Sequence, residues 1–335
     1  RVKQNLWRES WIGGLMTLGD PLGRSGAWLT GVDFTYATSH LRGDKNFLVG
    51  VWGIAMDRDG LGADRTSHGF KIDYPNDLWD IALTYKRIGR DFDPSIGFVP
   101  RRGVHLLSGQ INNITRISRG PLQRLFHEFE PSLATDLHGK WESYRVFMAP
   151  INWRFRSGDR FEFNANPTGE RLTAPTDIAG VTIAPGSYHW MRYRLEVGTA
   201  QKRRLYGQVT WWFGGFYDGS LDQFIWTGTW NPTSLLTLEV SGERDIGRDL
   251  AAGDFTTTVS GVRARVNLSS DLNISSYLQY DTTSKLVGVN TRLRWTFNPA
   301  GDLFVVYNHN VRDRLDRWQL DSNQLLVKMQ YAIRR

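Results

Sequence analysis

Charged residues fall in spaced pairs along the C-terminal half of the chain: Glu239 and Glu243, Arg263 and Arg265, Arg292 and Arg294. A spacing of two or four puts both members of a pair on one face of an extended strand, because successive side chains alternate between faces. Neighbouring strands lie about 4.8 Å apart, so such pairs reach one another across a sheet. Arg154 and Arg156, then Arg192, Arg194 and Glu196, repeat the arrangement upstream. Two kinds of chemistry suit this ladder. Around a water-filled passage it selects anionic or polar solutes, as charged rings do in channels. Inside a filled barrel it is an ion-pair network that satisfies buried polar groups.

Other residue types offer less. The segment Phe92 to Arg101 combines Asp93-Pro94, Gly97 and Val99-Pro100, turn chemistry that stiffens a long link. Folded inward, Asp93, Pro94, Gly97, Phe98, Pro100 and Arg101 make a constriction; turned outward they dock a partner, or Phe98 covers its own stem. The seven histidines (His40, His68, His105, His127, His138, His189 and His309) fall in neither a G-x-S-x-G nor an H-E-x-x-H motif. His127, Glu128 and Glu130 lack the second histidine of that zinc site, and Asp44, Asp57, Asp59 and Asp64 lack D-x-D-x-D-G calcium spacing. No catalytic residue, metal or cofactor is expected. Most of Trp211, Phe213, Trp226, Trp230, Trp295 and Tyr331 take the apolar positions of their segments, and the set reads as a lipid girdle before sugar-stacking platforms; Trp212 and Phe216 take the opposite parity.

Strands must position these residues. In Val287 to Phe297 (VGVNTRLRWTF), Val287, Val289, Leu293, Trp295 and Phe297 alternate with Gly288, Asn290, Arg292, Arg294 and Thr296. This suits lipid on one side and a wet lumen on the other. Similar alternation predicts about nineteen strands and no helix. Among them are Val2 to Arg8, Trp28 to Ser39, Lys45 to Asp57, Leu78 to Ile88, Trp141 to Arg156, His189 to Thr199 and Leu205 to Phe216. Leu235 to Glu243, Thr256 to Ser269, Leu272 to Asp281, Leu303 to Val311 and Gln324 to Arg334 continue the series. Tight links (Pro75 to Asp77, Gly158-Asp159, Gln201-Lys202, Asn231 to Thr233, Ser270-Asp271, Asn298 to Asp302) alternate with longer ones. The longer ones are Asp57 to Ser67, Phe92 to Gly103, Asn166 to Tyr188, Arg244 to Asp254 and Arg312 to Ser322.

Composition agrees. The 335 residues show no composition shift and read as one domain, 1–335, a transmembrane antiparallel up-and-down β-barrel of about 19–20 strands. Fourteen Trp, 12 Tyr and 17 Phe sit in a chain of mean hydropathy -0.40, as expected where only alternate residues meet lipid. No window holds 18 uninterrupted apolar residues, which excludes a spanning helix. The lack of cysteine excludes disulfide and thiolate chemistry. The net charge of +7 is spread along the strands, against nucleic-acid binding.

Outer-membrane barrels keep short periplasmic turns and long outer loops, so the last strand is expected to leave Arg335 in the periplasm. The first strand then runs the same way, and an even-stranded barrel does not close like that. At least one upstream strand, and a periplasmic region, is therefore expected before Arg1, where the chain opens without an initiator Met or signal segment.

The run DFDPSIGFVPR (Asp91 to Arg101) resembles a signature of an uncharacterised family of bacterial outer-membrane β-barrel domains, which commonly follow a module similar to family 9 carbohydrate-binding domains. RVKQNL (Arg1 to Leu6), GVDFTY (Gly31 to Tyr36), GGFYDG (Gly214 to Gly219), GDFT (Gly253 to Thr256), SSYLQYDTTS (Ser275 to Ser284) and NTRLRWTFNPAGDLFVVYN (Asn290 to Asn308) extend the likeness in order. It implies a barrel, preceded by further strands and the carbohydrate-binding-like module, and transfers no catalytic motif. The expected function is a porin-like path for solutes or polymers. A scaffold subunit of an envelope assembly comes second, a rim hydrolase third. Expected partners are outer-membrane lipid and lipopolysaccharide, other envelope subunits and carbohydrate, but not nucleic acid.

Overall fold

The computed structural model describes residues 1–333; the expected strand end at Arg334, and Arg335, lie outside the described residues. The alternating segments all form strands, and no helix occurs among the described residues. In chain order they are β1 (Val2–Leu6), β2 (Ser10–Leu18), β3 (Trp28–Leu41), β4 (Lys45–Asp57), β5 (Thr66–Pro75), β6 (Trp79–Ile88) and β7 (Val104–Arg116). Then follow β8 (Leu122–Asp136), β9 (Trp141–Phe155), β10 (Arg160–Leu172), β11 (Thr176–Ile178), β12 (Val181–Ile183), β13 (Gly186–Gly198) and β14 (Leu205–Phe216). The last are β15 (Gly219–Trp230), β16 (Leu236–Arg248), β17 (Phe255–Asn267), β18 (Leu272–Asp281), β19 (Leu286–Asn298), β20 (Gly301–Asp313) and β21 (Trp318–Tyr331).

Each strand pairs antiparallel with its sequence neighbour, β10 pairing with β13, to give a 19-stranded meander; β11 and β12 form a separate hairpin. The expected up-and-down antiparallel sheet is present, but no ladder joins β1 to β21 among the described residues. Two expected long links are shorter: Arg244 to Asp254, because β16 stays paired with β15 out to Ser220↔Arg248, and Arg312 to Ser322, because β20 and β21 stay paired out to Asp313↔Trp318 and leave only residues 314–317 as a turn. Backbone ladders do not need the apolar alternation that marks a strand in sequence.

Register carries one parity across the sheet. Thr229, Glu239, Arg263, Tyr277, Asn290, Asn308 and Gln324 are successive partners, and so are Val240, Val262, Leu278 and Val289 one step away. The first row belongs to a polar face and the second to an apolar one. On the apolar face Val32, Val51, Ile72, Leu83, Leu107, Phe129, Val197, Val209, Trp295 and Leu325 are all exposed. The buried side chains include Asn152, Glu162, Asn164, Asn166, Glu196 and Thr210, all on the polar face. This inverts a water-soluble fold, in which apolar groups are buried and charges solvated. On the apolar face Gly242 lets the Trp226 indole lie flat against the sheet: a Cβ there would stand 2.3 Å from the ring.

The links sort by end. Residues 19–27, 58–65, 89–103, 173–185 and 249–254 are at one end, with short turns 137–140, 217–218, 282–285 and 314–317 among them; every link at the other end has six residues or fewer. Among the described residues the one buried apolar cluster is at the long-link end, where Val181 and Ile183 of the hairpin pack with Leu250 against Leu172, Tyr188, Phe216 and Phe255.

Candidate functional site

The sequence-predicted arginines of β17 and β19 come together on the polar face. Arg263, Arg265, Arg292 and Arg294 line one hollow of about 460 Å³ with Asn273, Ser275, Tyr277 and Asn290. Register explains the spacing: Arg265 pairs with Ser275, which pairs with Arg292. The small serine of β18 thus leaves room between two columns of guanidinium groups.

Neutralisation there is incomplete. Glu239 lies 3.6 Å from Arg263 and Asp302 lies 3.1 Å from Arg294. Arg265 and Arg292 have no carboxylate within ion-pair distance among the described residues. The Arg292 guanidinium stacks 4.9 Å from the centre of the Phe304 ring, and Arg263 lies 4.7 Å from that of Tyr277. Stacking holds a planar cation in place and leaves its N–H edge available to an anion. Glu243 is not part of this cluster; it accepts a 2.6 Å hydrogen bond from Gln223.

A second charged cluster, on β9, β10, β13 and β14, is closed. Arg194 donates to Glu162 at 2.6 Å and Asn164 at 2.9 Å, and also to Glu196. Arg160 pairs with Glu196 at 2.9 Å, Thr210 donates to the same carboxylate at 3.1 Å, and Arg154 lies 3.8 Å from Glu162. Glu196 is 2% exposed and Asn164 0%. Carboxylates so withdrawn from water are sustainable only because the guanidinium groups satisfy them. Trp212, expected on this face, lies beneath Arg194 with its ring centre 5.5 Å from the guanidinium carbon.

Sequence reading missed Arg160, Glu162 and Asn164. Arg160 to Pro167 (RFEFNANP) alternates perfectly, yet Asn166-Pro167 resembles a turn and hid the second half of the strand, which runs on to Leu172. Two other placements differ from expectation. Arg156 is off the ladder, in the link after β9, where it donates to the carbonyls of Gly120, at 2.9 Å, and Ile117. Its place past the last β9–β10 pair, Arg154↔Arg160, frees it from the strand's alternation. Arg192 is on the polar face but donates to the Leu221 carbonyl instead of a carboxylate.

The link 89–103 bridges the long-link end. Ser95 donates to Asp20 at 2.5 Å, Asp93 pairs with Arg58, and Arg101 donates to Glu142 at 2.6 Å and Ser143 at 2.8 Å. These partners stretch from before β3 to the start of β9. Six strand spacings of about 4.8 Å make about 29 Å of flat sheet, so the contacts fit a sheet that curls beneath the link. Phe98 does not cover its stem: it is 89% exposed, and Phe92 is the buried ring.

Desolvation raises the Asp20 carboxyl, but hydrogen bonds from Ser95, the Leu22 amide and Arg24 outweigh it and hold the group at about 2. At the other end, Asp159 is held well below the carboxylate range by Arg203, Ser157 and the Ala200 amide.

The histidines are scattered. Ser39, His40 and Glu9 do meet, with Ser39 donating to Glu9 at 2.6 Å and lying 3.0 Å from His40 Nδ1. Glu9 contacts the same nitrogen at 3.6 Å, whereas a serine–histidine–acid relay uses opposite nitrogens of the ring. His127 bonds the Pro150 carbonyl, on the face opposite Glu128 and Glu130. Among the described residues no group of potential ligands could hold a metal ion.

No family model matches the chain, no curated protein matches it, and no solved structure matches it.

Proposed function

We propose that the chain forms the wall of a bacterial outer-membrane β-barrel whose polar face encloses a path for anionic and polar solutes. Arg263, Arg265, Arg292 and Arg294 act in it as the selectivity ladder. The observation that carries this reading is the exposed apolar face that runs across the meander, back to back with partly unneutralised arginines. Such a face in water would be an aggregation surface; in hydrocarbon it is solvated.

Strand length supports the reading. The 13 residues of β19 extend about 43 Å at about 3.3 Å per residue, and a tilt of about 45° brings that to about the 30 Å of a bilayer core. Closure of the wall, with the long links outside the cell and the last strand ending in the periplasm, is part of the proposal.

Conductance tests it. Purified chain reconstituted in a planar bilayer should conduct with anion preference, and Arg292→Glu should shift the reversal potential towards cations. A silent bilayer with correctly inserted chain would refute the pore. One observation favours a scaffold as the second reading: all 14 residues of β21 are exposed, and its outer edge is unpaired among the described residues. Such an edge accepts a strand from another subunit.

A further inference from the structure

A second hollow of about 460 Å³ lies on the polar face under the link 89–103, on strands β6 to β10. It is separate from the arginine ladder, which is on β17 and β19. Its lining carries three cations, Lys86, Arg101 and Arg145, and the hydroxyls of Thr84, Ser108, Ser132, Ser143 and Thr168. Leu106 and Ala134 add apolar surface to the same lining.

The cations differ in how they are used. Arg101 is fixed by Glu142 at 2.6 Å and Ser143 at 2.8 Å, so it holds the link over the hollow. Lys86 and Arg145 have no carboxylate within ion-pair distance among the described residues, and both are exposed to the hollow. Glu170, the one acid in the lining, accepts a 2.7 Å hydrogen bond from Tyr217. Two uncommitted cations, from β6 and β9, thus face a space ringed by small hydroxyls.

We propose that this hollow binds a hydroxylated organic anion of about monosaccharide size. Lys86 and Arg145 would hold its carboxylate or phosphate, and the serine and threonine hydroxyls would exchange hydrogen bonds with its own. The volume is in the range of sites that enclose small organic ligands and is too large for a lone inorganic ion. Charged hydrogen bonds supply the affinity, while neutral ones tell a polyol from a simple acid. The site does not depend on conduction through the ladder.

Calorimetric titration of the whole chain in detergent micelles tests it with gluconate, glucose 6-phosphate, glucose and acetate. Saturable binding of gluconate or glucose 6-phosphate is expected, at least about tenfold tighter than glucose and acetate; whichever of the two binds tighter assigns a carboxylate or a phosphate. Lys86→Met and Arg145→Met should each weaken it about tenfold, about 1.4 kcal/mol, and Arg292→Met should leave it unchanged. Neither Lys86 nor Arg145 takes part in an ion pair of the described sheet, so both variants keep its contacts; retained heat-modifiable mobility checks folding. No saturable binding, equal binding of glucose or acetate, indifference to the two substitutions, or loss in Arg292→Met would each overturn the proposal. Conductance measured in the same preparations separates this failure from that of the pore.

Discussion

At the scale of single residues, neighbours on β19 predict opposite behaviour. Leu293 is on the apolar face near the middle of the strand, so Leu293→Arg should cost about 2–4 kcal/mol of folding stability in lipid vesicles. Arg292→Ala, one position away, should cost little stability and alter ion selectivity instead. Urea titrations in vesicles check both, and equal costs would contradict the two-faced reading. Glu196 belongs to the closed cluster, where removing one partner strands buried charge. Glu196→Gln should therefore lower stability by about 3–5 kcal/mol while leaving anion preference intact. A large change of selectivity in that variant would mean that the cluster, not the arginine hollow, is in contact with the permeating solute.

At the scale of elements, the link 89–103 depends on charged contacts with other links. Asp20 has its carboxyl held at about 2, below its ordinary 3.8, so its hydrogen bond with Ser95 stabilises the docked link above that ordinary value. The contribution fades as pH falls from 3.8 towards about 2. Protection factors for hydrogen exchange over residues 19–27 and 89–103, taken relative to the unstructured chain at the same pH, should fall in that window, and Asp20→Asn should lower them at neutral pH. Unchanged protection down to pH 2 would show that Arg58 and Arg101 hold the link without Asp20.

The same elements show what a sequence makes legible. Val287–Phe297 announces its strand because apolar and polar residues alternate along it with one exception, Thr291. The parity of Arg263, Arg265, Arg292 and Arg294 follows from that alternation, and with it their meeting on one face. The half of Arg160–Leu172 from Asn166 onward stayed hidden because Asn166 and Pro167 are turn formers that here sit within a strand. The contact of Arg101 with Glu142, 41 residues away, could not be read either, since it depends on how a link leans across several strands. Nor could the burial of Glu196, which the guanidinium groups of Arg160 and Arg194 create.

At the scale of the whole molecule, the meander is a ribbon with one greasy and one polar surface. The wild-type chain contains no cysteine, so single cysteines can be placed at each position from Val287 to Phe297 and spin-labelled in lipid vesicles. Accessibility to oxygen should peak at Val287, Val289, Leu293 and Trp295, while accessibility to a water-soluble nickel complex should peak at Asn290, Arg292 and Arg294. A period-two exchange between the reagents would locate hydrocarbon on one side. Equal access of the nickel complex to both sets of positions, or failure of the folded chain to enter vesicles, would contradict it.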